Sequence, residues 1–315
     1  DTYDVNDMGF NRRNNRFDND LEIEYNIYEP VGILLNMHNE IGFYYDMLYA
    51  PRKFVSFDIG FRNRTTFKNF LTAGFSGHIN PLESHDYYEP RVDGWMLIRP
   101  ANAHISFFIS PDYRKRFVID ASAVYWASNK YGQSIINASL EPRFRVNDRL
   151  SLQLEIDYDM EWNDIGYVDT VNNGEVKIIM GKRDVRTIEN TFDVSYIFTK
   201  NISLSFRARH YWVTVEYNDF FDLQTDGYLG PSNYNDDHDF IYNAFNIDMV
   251  FRWIFAPASE LIFVWKNNIH AEQSEIINDY FEDLRYTFSS PMANSFSLKV
   301  LYYLDYQSLK RKNRR

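Results

Sequence analysis

From Leu150 to Trp162 apolar and polar residues alternate without a break. Leu150, Leu152, Leu154, Ile156, Tyr158, Met160 and Trp162 fall on one side of an extended chain, and Ser151, Gln153, Glu155, Asp157, Asp159 and Glu161 on the other. Side chains alternate faces along a strand, so the pattern predicts one apolar and one charged face. A helix would spread the same residues around its circumference.

The pattern recurs along the chain. Leu21, Ile23, Tyr25 and Ile27 oppose Asp20, Glu22, Glu24 and Asn26; Val55, Phe57, Ile59 and Phe61 oppose Ser56, Asp58 and Arg62. Ile188, Phe192, Val194 and Tyr196 oppose Glu189, Thr191, Asp193 and Ser195. Ile202, Leu204, Phe206 and Ala208 oppose Ser203, Ser205, Arg207 and Arg209, and Ile247, Met249, Phe251 and Trp253 oppose Asn246, Asp248 and Arg252. The periodicity predicts strands at 17–29, 32–46, 53–64, 68–79, 102–111, 116–128, 132–145, 149–162, 184–198, 201–217, 239–255, 259–270 and 294–305. A soluble sheet averages about 5–6 residues per strand, whereas crossing a bilayer takes roughly 9–11. Strands of this length predict an all-β fold, an antiparallel transmembrane outer-membrane β-barrel over 1–305, followed by a basic periplasmic tail at 306–315.

The connections fall into two classes. Short ones lie at 29–32, 145–149, 198–201 and 255–259; long ones, rich in Asn, Asp, Gly and Pro, run through 79–102, 163–184, 218–239 and 271–293. Outer-membrane barrels keep short turns in the periplasm and long loops outside. Their alternation predicts a periplasmic C-terminus and an N-terminus at the outer face. Thirteen strands and an outer N-terminus imply a chain that begins part-way through a larger barrel, because single-chain bacterial barrels have even strand numbers. Residues 91–99 and 175–181 could add short hairpins above the membrane. Aromatics at the ends of the apolar stripes (Tyr158, Trp162, Trp212, Trp253, Phe255 and Trp265) predict interfacial girdles.

Composition sharpens this picture. Aromatic residues make up 18% of the 315 residues, including 24 Tyr and 26 Phe, while the mean hydropathy is −0.46. A barrel that is greasy outside and wet inside combines these two properties. A net charge of −11 argues against general nucleic-acid binding, which requires a basic face. Without cysteine, disulfides and thiolate metal sites are excluded.

Several segments carry a family likeness: VNDMGFNRRNN at 5–15, RPANAHISFFISPDYRK at 99–115, GKRDVRTIENTFDVSYIFTKNISLSF at 181–206 and VFRWIFAPASELIFVW at 250–265. Together they resemble the C-terminal barrel of Bacteroidota outer-membrane proteins of uncharacterised function. Such proteins carry an N-terminal carbohydrate-binding-like module of the family 9 type, which this chain lacks. The resemblance implies a barrel and supplies no catalytic residue.

Two loop clusters could carry chemistry. Asn235-Asp236-Asp237-His238-Asp239 offers oxygen ligands and an imidazole, the donors that hold calcium or a transition metal. However, Asn/Asp-rich tips also arise from turn requirements, and neighbours on a loop seldom converge on one point. His85-Asp86-Tyr87-Tyr88-Glu89 could present a tyrosine pair to a sugar or a protein, or fold over the barrel mouth. His210 and Ser203 or Ser205 project to opposite faces by parity and cannot form a dyad. On the polar side, Glu155, Asp157, Asp159 and Glu161 form an acidic row, with Glu141 and Asp193 on neighbouring strands. Arg143, Arg145, Arg207, Arg209 and Arg252 could sit opposite or beside it; such charges either set the permeability of a selective pore or pair with one another in a plugged barrel, and the nearby arginines favour the plugged interior.

The expectation is therefore a non-enzymatic envelope barrel: a solute channel, or a component of a transport, export or assembly complex. No catalytic residue, cofactor or metal is assigned. Its partners are the lipid bilayer and lipopolysaccharide, with other outer-membrane or periplasmic proteins and glycan as further candidates. The alternative is an outer-rim hydrolase using Asp237 and His238.

Overall fold

The computed structural model describes residues 15–172, 175–273, 279–304 and 306. The basic run Lys310 to Arg315 lies outside them. Among the described residues, sixteen strands and one helix follow in order: β1 (Phe17–Ile27), β2 (Leu34–Met47), β3 (Phe54–Phe67), β4 (Thr72–Asn80), β5 (Ser84–Asp86), β6 (Leu97–Arg99), β7 (Asn102–Ser110), β8 (Phe117–Ser128), β9 (Ser134–Arg145), β10 (Leu150–Asn172), β11 (Val176–Thr199), β12 (Ile202–Leu223), β13 (Leu229–Pro231), β14 (Phe240–Ala256), β15 (Ser259–Gln273), α1 (Tyr280–Ser289) and β16 (Met292–Leu301). Each of the thirteen expected strands is present.

The long strands form one antiparallel meander in the order β1-β2-β3-β4-β7-β8-β9-β10-β11-β12-β14-β15-β16; β13 pairs with β12, and β5 pairs with β6 apart from the main sheet. The long strands pair in chain order, with β5 and β6, β13 and α1 lying in the connections between them, the arrangement of an up-and-down barrel wall. β1 and β16 stand at the two ends and do not pair with each other among the described residues.

Register puts like beside like. Leu152, Val194, Phe206, Met249, Trp265 and Phe296 are successive cross-strand partners from β10 to β16. One residue away, Gln153, Asp193, Arg207, Asp248, Lys266 and Ser295 form the matching polar row. A slip of one residue in any strand would exchange the two rows there, so the pattern that specifies the strands also specifies their pairing.

Among the described residues, no second layer covers most of the apolar face. Ile23 is 60% exposed, Phe107 53% and Leu140 50%. The compact apolar cluster sits instead at the long-loop end, where Leu97, Ile165, Ile178, Met180 and Leu223 are buried against Trp95, Tyr167 and Phe221.

Here the structure corrects three of the expected loops. Most of 163–184 is not a loop: β10 and β11 continue as a hairpin to Asn172 and from Val176, so residues 175–181 join β11 almost entirely rather than a hairpin of their own. β12 likewise runs on through 218–223, and 271–293 contains α1. A register shift between Glu161 and Asp164, with Asn163 at φ 53°, breaks the alternation where the extension starts. Beyond β9 the edge of β10 pairs with no strand among the described residues, and side chains of the 80–101 segment take that place: Arg99 Nη1 of β6 donates to the Ile165 carbonyl (3.0 Å) and Glu89 accepts from the Tyr167 N–H (2.8 Å). Covering an edge in this way satisfies ladder groups that would otherwise recruit another strand.

Candidate functional site

The polar face of the sheet is the most chemically distinctive surface. Its cations are engaged by specific carboxylates: Arg143 with Glu141 (2.5 Å), Arg207 with Asp193 (2.8 Å), Arg209 with Glu189 (3.1 Å), Arg252 with Glu260 (2.6 Å) and Lys266 with Asp248 (3.2 Å). Arg145 reaches the Tyr113 carbonyl. The acidic row of β10 is therefore not countered as the sequence suggested: among the described residues, no ion pair includes Glu155, Asp157, Asp159 or Glu161. Asp159 accepts only a long hydrogen bond from Asn137 (3.4 Å), and Asp157 stands directly across from Glu189. Like charges set opposite one another destabilise a sheet unless water or mobile cations screen them. A second acidic row, Asp18, Asp20, Glu22 and Glu24, lies on the polar face of β1, with Asp46 and Glu40 opposite Asp18 and Glu24.

A ladder of rings crosses the same face. Tyr44 on β2 stacks with His78 on β4 (5.9 Å, 28°), and His78 with His104 on β7 (5.1 Å, 20°). Gly60 on β3 makes room between them: a Cβ there would lie 3.0 Å from the Tyr44 ring and 3.1 Å from that of His78. Sequence reasoning missed this ladder, although parity puts all three rings on one side.

The two loop clusters resolve as local structure. His238 stacks on Tyr234 and shares a 2.6 Å hydrogen bond with its hydroxyl. Asp237 accepts from the Asp239 N–H, and Asp239 from the Tyr217 N–H (2.6 Å). These groups do not converge, and among the described residues no group of three or more His, Asp or Glu could hold a metal ion. His85 packs edge-on against Phe54 (5.4 Å), and burial pushes its pKa below the ordinary imidazole value. Tyr87 donates to the Phe54 carbonyl (3.2 Å) and Asp86 pairs with Arg99 (3.2 Å), so this segment folds down at the long-loop end. Glu83 ties it to two other loops, accepting from Lys130 (2.5 Å) and Tyr228 (2.7 Å).

The apolar face carries polar groups in several places, among them Asn39 with Asn63 and Thr65 on β2 and β3 and Asn267 with Asn294 on β15 and β16; the patch on β11, β12 and β14 is the one that α1 covers. Asp279 caps the helix, accepting from the N–H groups of Phe281 and Glu282, the ordinary way of satisfying a helix N-terminus. Beneath it runs a chain of hydrogen bonds. The Asn190 amide donates to the Tyr280 hydroxyl (2.9 Å), which lies 2.9 Å from His210 Nδ1. His210 Nε2 faces Asn243 Oδ1 (3.3 Å), and Asn243 Nδ2 donates to Asp283 Oδ2 (2.5 Å), which also accepts from Trp212 Nε1 (2.6 Å). The fixed donors at the two ends orient the whole chain: the tyrosine proton points to Nδ1, and the imidazole carries its proton on Nε2. Trp212 is 1% exposed, a core residue under the helix rather than part of a girdle. His210 shares the face of Phe206, opposite Ser203 and Ser205. The signal in the sequence was the interruption of three neighbouring apolar stripes, by Asn190, His210 and Asn243, at one height.

Residues 1–313 match the model of the family described as Domain of unknown function (DUF5916). No curated protein matches the chain. Among solved structures, the NanC porin in a rhombohedral crystal form is similar over 90% of this chain and 99% of its own, at 9% identity and a TM-score of 0.25.

Proposed function

The chain belongs to the DUF5916 family, a domain of unknown function, and on that premise we propose that it is the wall of an integral outer-membrane barrel. In this reading it lines an aqueous passage for cations and cationic or neutral solutes, without catalysis. One observation carries the proposal: thirteen long antiparallel strands present an uncovered apolar face opposite a charged one. Each large side chain left in water forgoes roughly 1.5–3 kcal/mol of burial. Apolar patches beyond a few hundred Å² mark an interaction surface rather than a water-facing one. Hydrocarbon on the apolar side and water on the other remove the conflict, and closed barrels are the β-structures that span bilayers.

The lining supports cation preference. Its arginines and lysines are largely held by partner carboxylates, Asp18 of the β1 row by Arg16 among them, whereas Asp20, Glu22 and Glu24 on β1 and the row on β10 enter no ion pair among the described residues, and rings of carboxylates favour cations in channels. Lipid and lipopolysaccharide are the partners this placement implies. The Bacteroidota envelope and the glycan link suggested by the sequence resemblance belong to the same proposal. A hydrolase at Asp237 and His238 gains no support from side chains that engage separate partners.

Reversal potentials across planar bilayers test the proposal. The protein is expected to conduct with cation preference, and the triple replacement Glu155→Gln, Asp157→Asn and Asp159→Asn to reduce that preference while conductance persists. A silent bilayer, or selectivity unchanged by the triple replacement, contradicts it.

A further inference from the structure

The helix α1 is built inside out. Its buried positions are polar: Asp283 and Thr287 are fully covered, with Tyr280 half-buried beside them. Its exposed positions include Phe281 at 70% and Phe288 at 50%, together with Tyr286, Glu282 and Arg285. A helix docked on a protein that faces water turns its apolar stripe inward and its polar face out. This one does the reverse, and the sheet surface beneath it is reversed to match. Asn190, His210 and Asn243 occupy positions that elsewhere on the same face hold Phe192, Phe206 and Met249.

We propose that α1 is an interfacial element that beds its aromatic face in the acyl-chain and headgroup boundary of the leaflet at the long-loop end. The inference rests on the membrane reading above and adds a lipid-docking surface to it. Three observations point to lipid as the occupant. First, the aromatic side of α1 continues the exposed apolar face of β14, β15 and β16, with Phe288 against Phe245 (4.9 Å between ring centroids). Second, its height is right: His210 lies eight residues beyond Ile202 at the short-turn end, about 27 Å along a strand at 3.4 Å per residue, or roughly 21 Å of height at a tilt of roughly 40°, a few ångströms inside the rim of an apolar band about 25 Å tall. Third, Glu282 and Arg285 flank the aromatics, and interfacial helices pair such charges with buried rings.

The polar network follows from this placement. The strands bring amide and imidazole groups to the lipid-facing side near the rim, and α1 supplies their hydrogen-bond partners. Its aromatics then present hydrocarbon where those groups would otherwise meet acyl chains.

The chain has no cysteine, so single nitroxide labels can be placed cleanly. Full-length variants Phe281→Cys, Phe288→Cys, Glu282→Cys and Leu140→Cys, labelled and inserted into phosphatidylcholine–phosphatidylglycerol vesicles, are compared for accessibility to oxygen and to a water-soluble nickel chelate. Labels at 281 and 288 are expected to favour oxygen, as the wall label at 140 does, with the label at 282 shifted toward nickel. If 140 favours oxygen while 281 and 288 favour nickel, α1 lies in water and the inference is overturned, but the membrane wall stands. If 140 also favours nickel, the membrane reading itself fails, and this inference with it. Tyr286→Cys supplies a second exposed site should labelling at Phe281 prevent folding, which heat-dependent gel migration reports.

Discussion

Asp283 joins two buried donors, Trp212 Nε1 and Asn243 Nδ2, on one carboxylate oxygen. Removing the carboxylate leaves both without a partner, and each unsatisfied buried group costs about 1–3 kcal/mol. We predict that Asp283→Ala lowers the unfolding free energy by that amount or more. Asp283→Asn, which keeps one accepting oxygen, should lose less. Urea titration of the protein in vesicles separates the two; equal, negligible losses would contradict the network. Glu83 makes a different prediction, because it sits in a loop outside the spanning strands. The hydrogen bonds from Lys130 and then Tyr228 hold its carboxyl below the usual value of 4.5. A depressed folded-state pKa means the contribution is fully present above the unfolded value and is lost as pH falls through the folded one. The contact between the 80–101 loop and the turn at 128–134 should therefore loosen only in acid. Amide exchange in that loop, corrected for intrinsic rates, is expected to rise at low pH in the native chain and to be raised already at neutral pH in Lys130→Ala. Exchange that ignores both pH and that substitution would refute the tie.

At the scale of elements, the meander was legible because its signal is local and redundant. Every second residue of Leu150 to Trp162 reports the same face, and the partner strand repeats the report. What the sequence hid depends on contacts made at a distance. The extension of β10 beyond Asn163 carries Gly166, Asp169 and Asn172, residue types that read as a loop, yet it is held by pairing with β11 and by Arg99 and Glu89 from a distant segment. For α1 the conflict is sharper. Buried polar and exposed aromatic positions give the wrong polarity for a helix on a water-facing protein, and a loop was the natural reading. The acidic row on β10 could be read directly from the alternation. Which arginines would neutralise it could not, because Arg143 and Arg207 are claimed by Glu141 and Asp193, and that choice depends on register.

The whole molecule is a sheet whose two faces require different solvents. Its apolar row from Leu152 to Phe296 runs unbroken across β10 to β16 with a polar row beside it, α1 covers the interruptions at Asn190, His210 and Asn243, and the buried apolar cluster lies at the long-loop end. The cation-conducting passage, the lipid-bedded helix and the edge-covering loop all presuppose that assignment of solvents. β12 tests it most directly, since Ile202 to Arg209 alternate without a bulge against β14. Single nitroxide labels placed in turn at these eight positions, in vesicles, should show oxygen access peaking at 202, 204, 206 and 208 and nickel access peaking at 203, 205, 207 and 209. Two reagents rising and falling together along the strand, or a uniform response at all eight sites, would contradict the account.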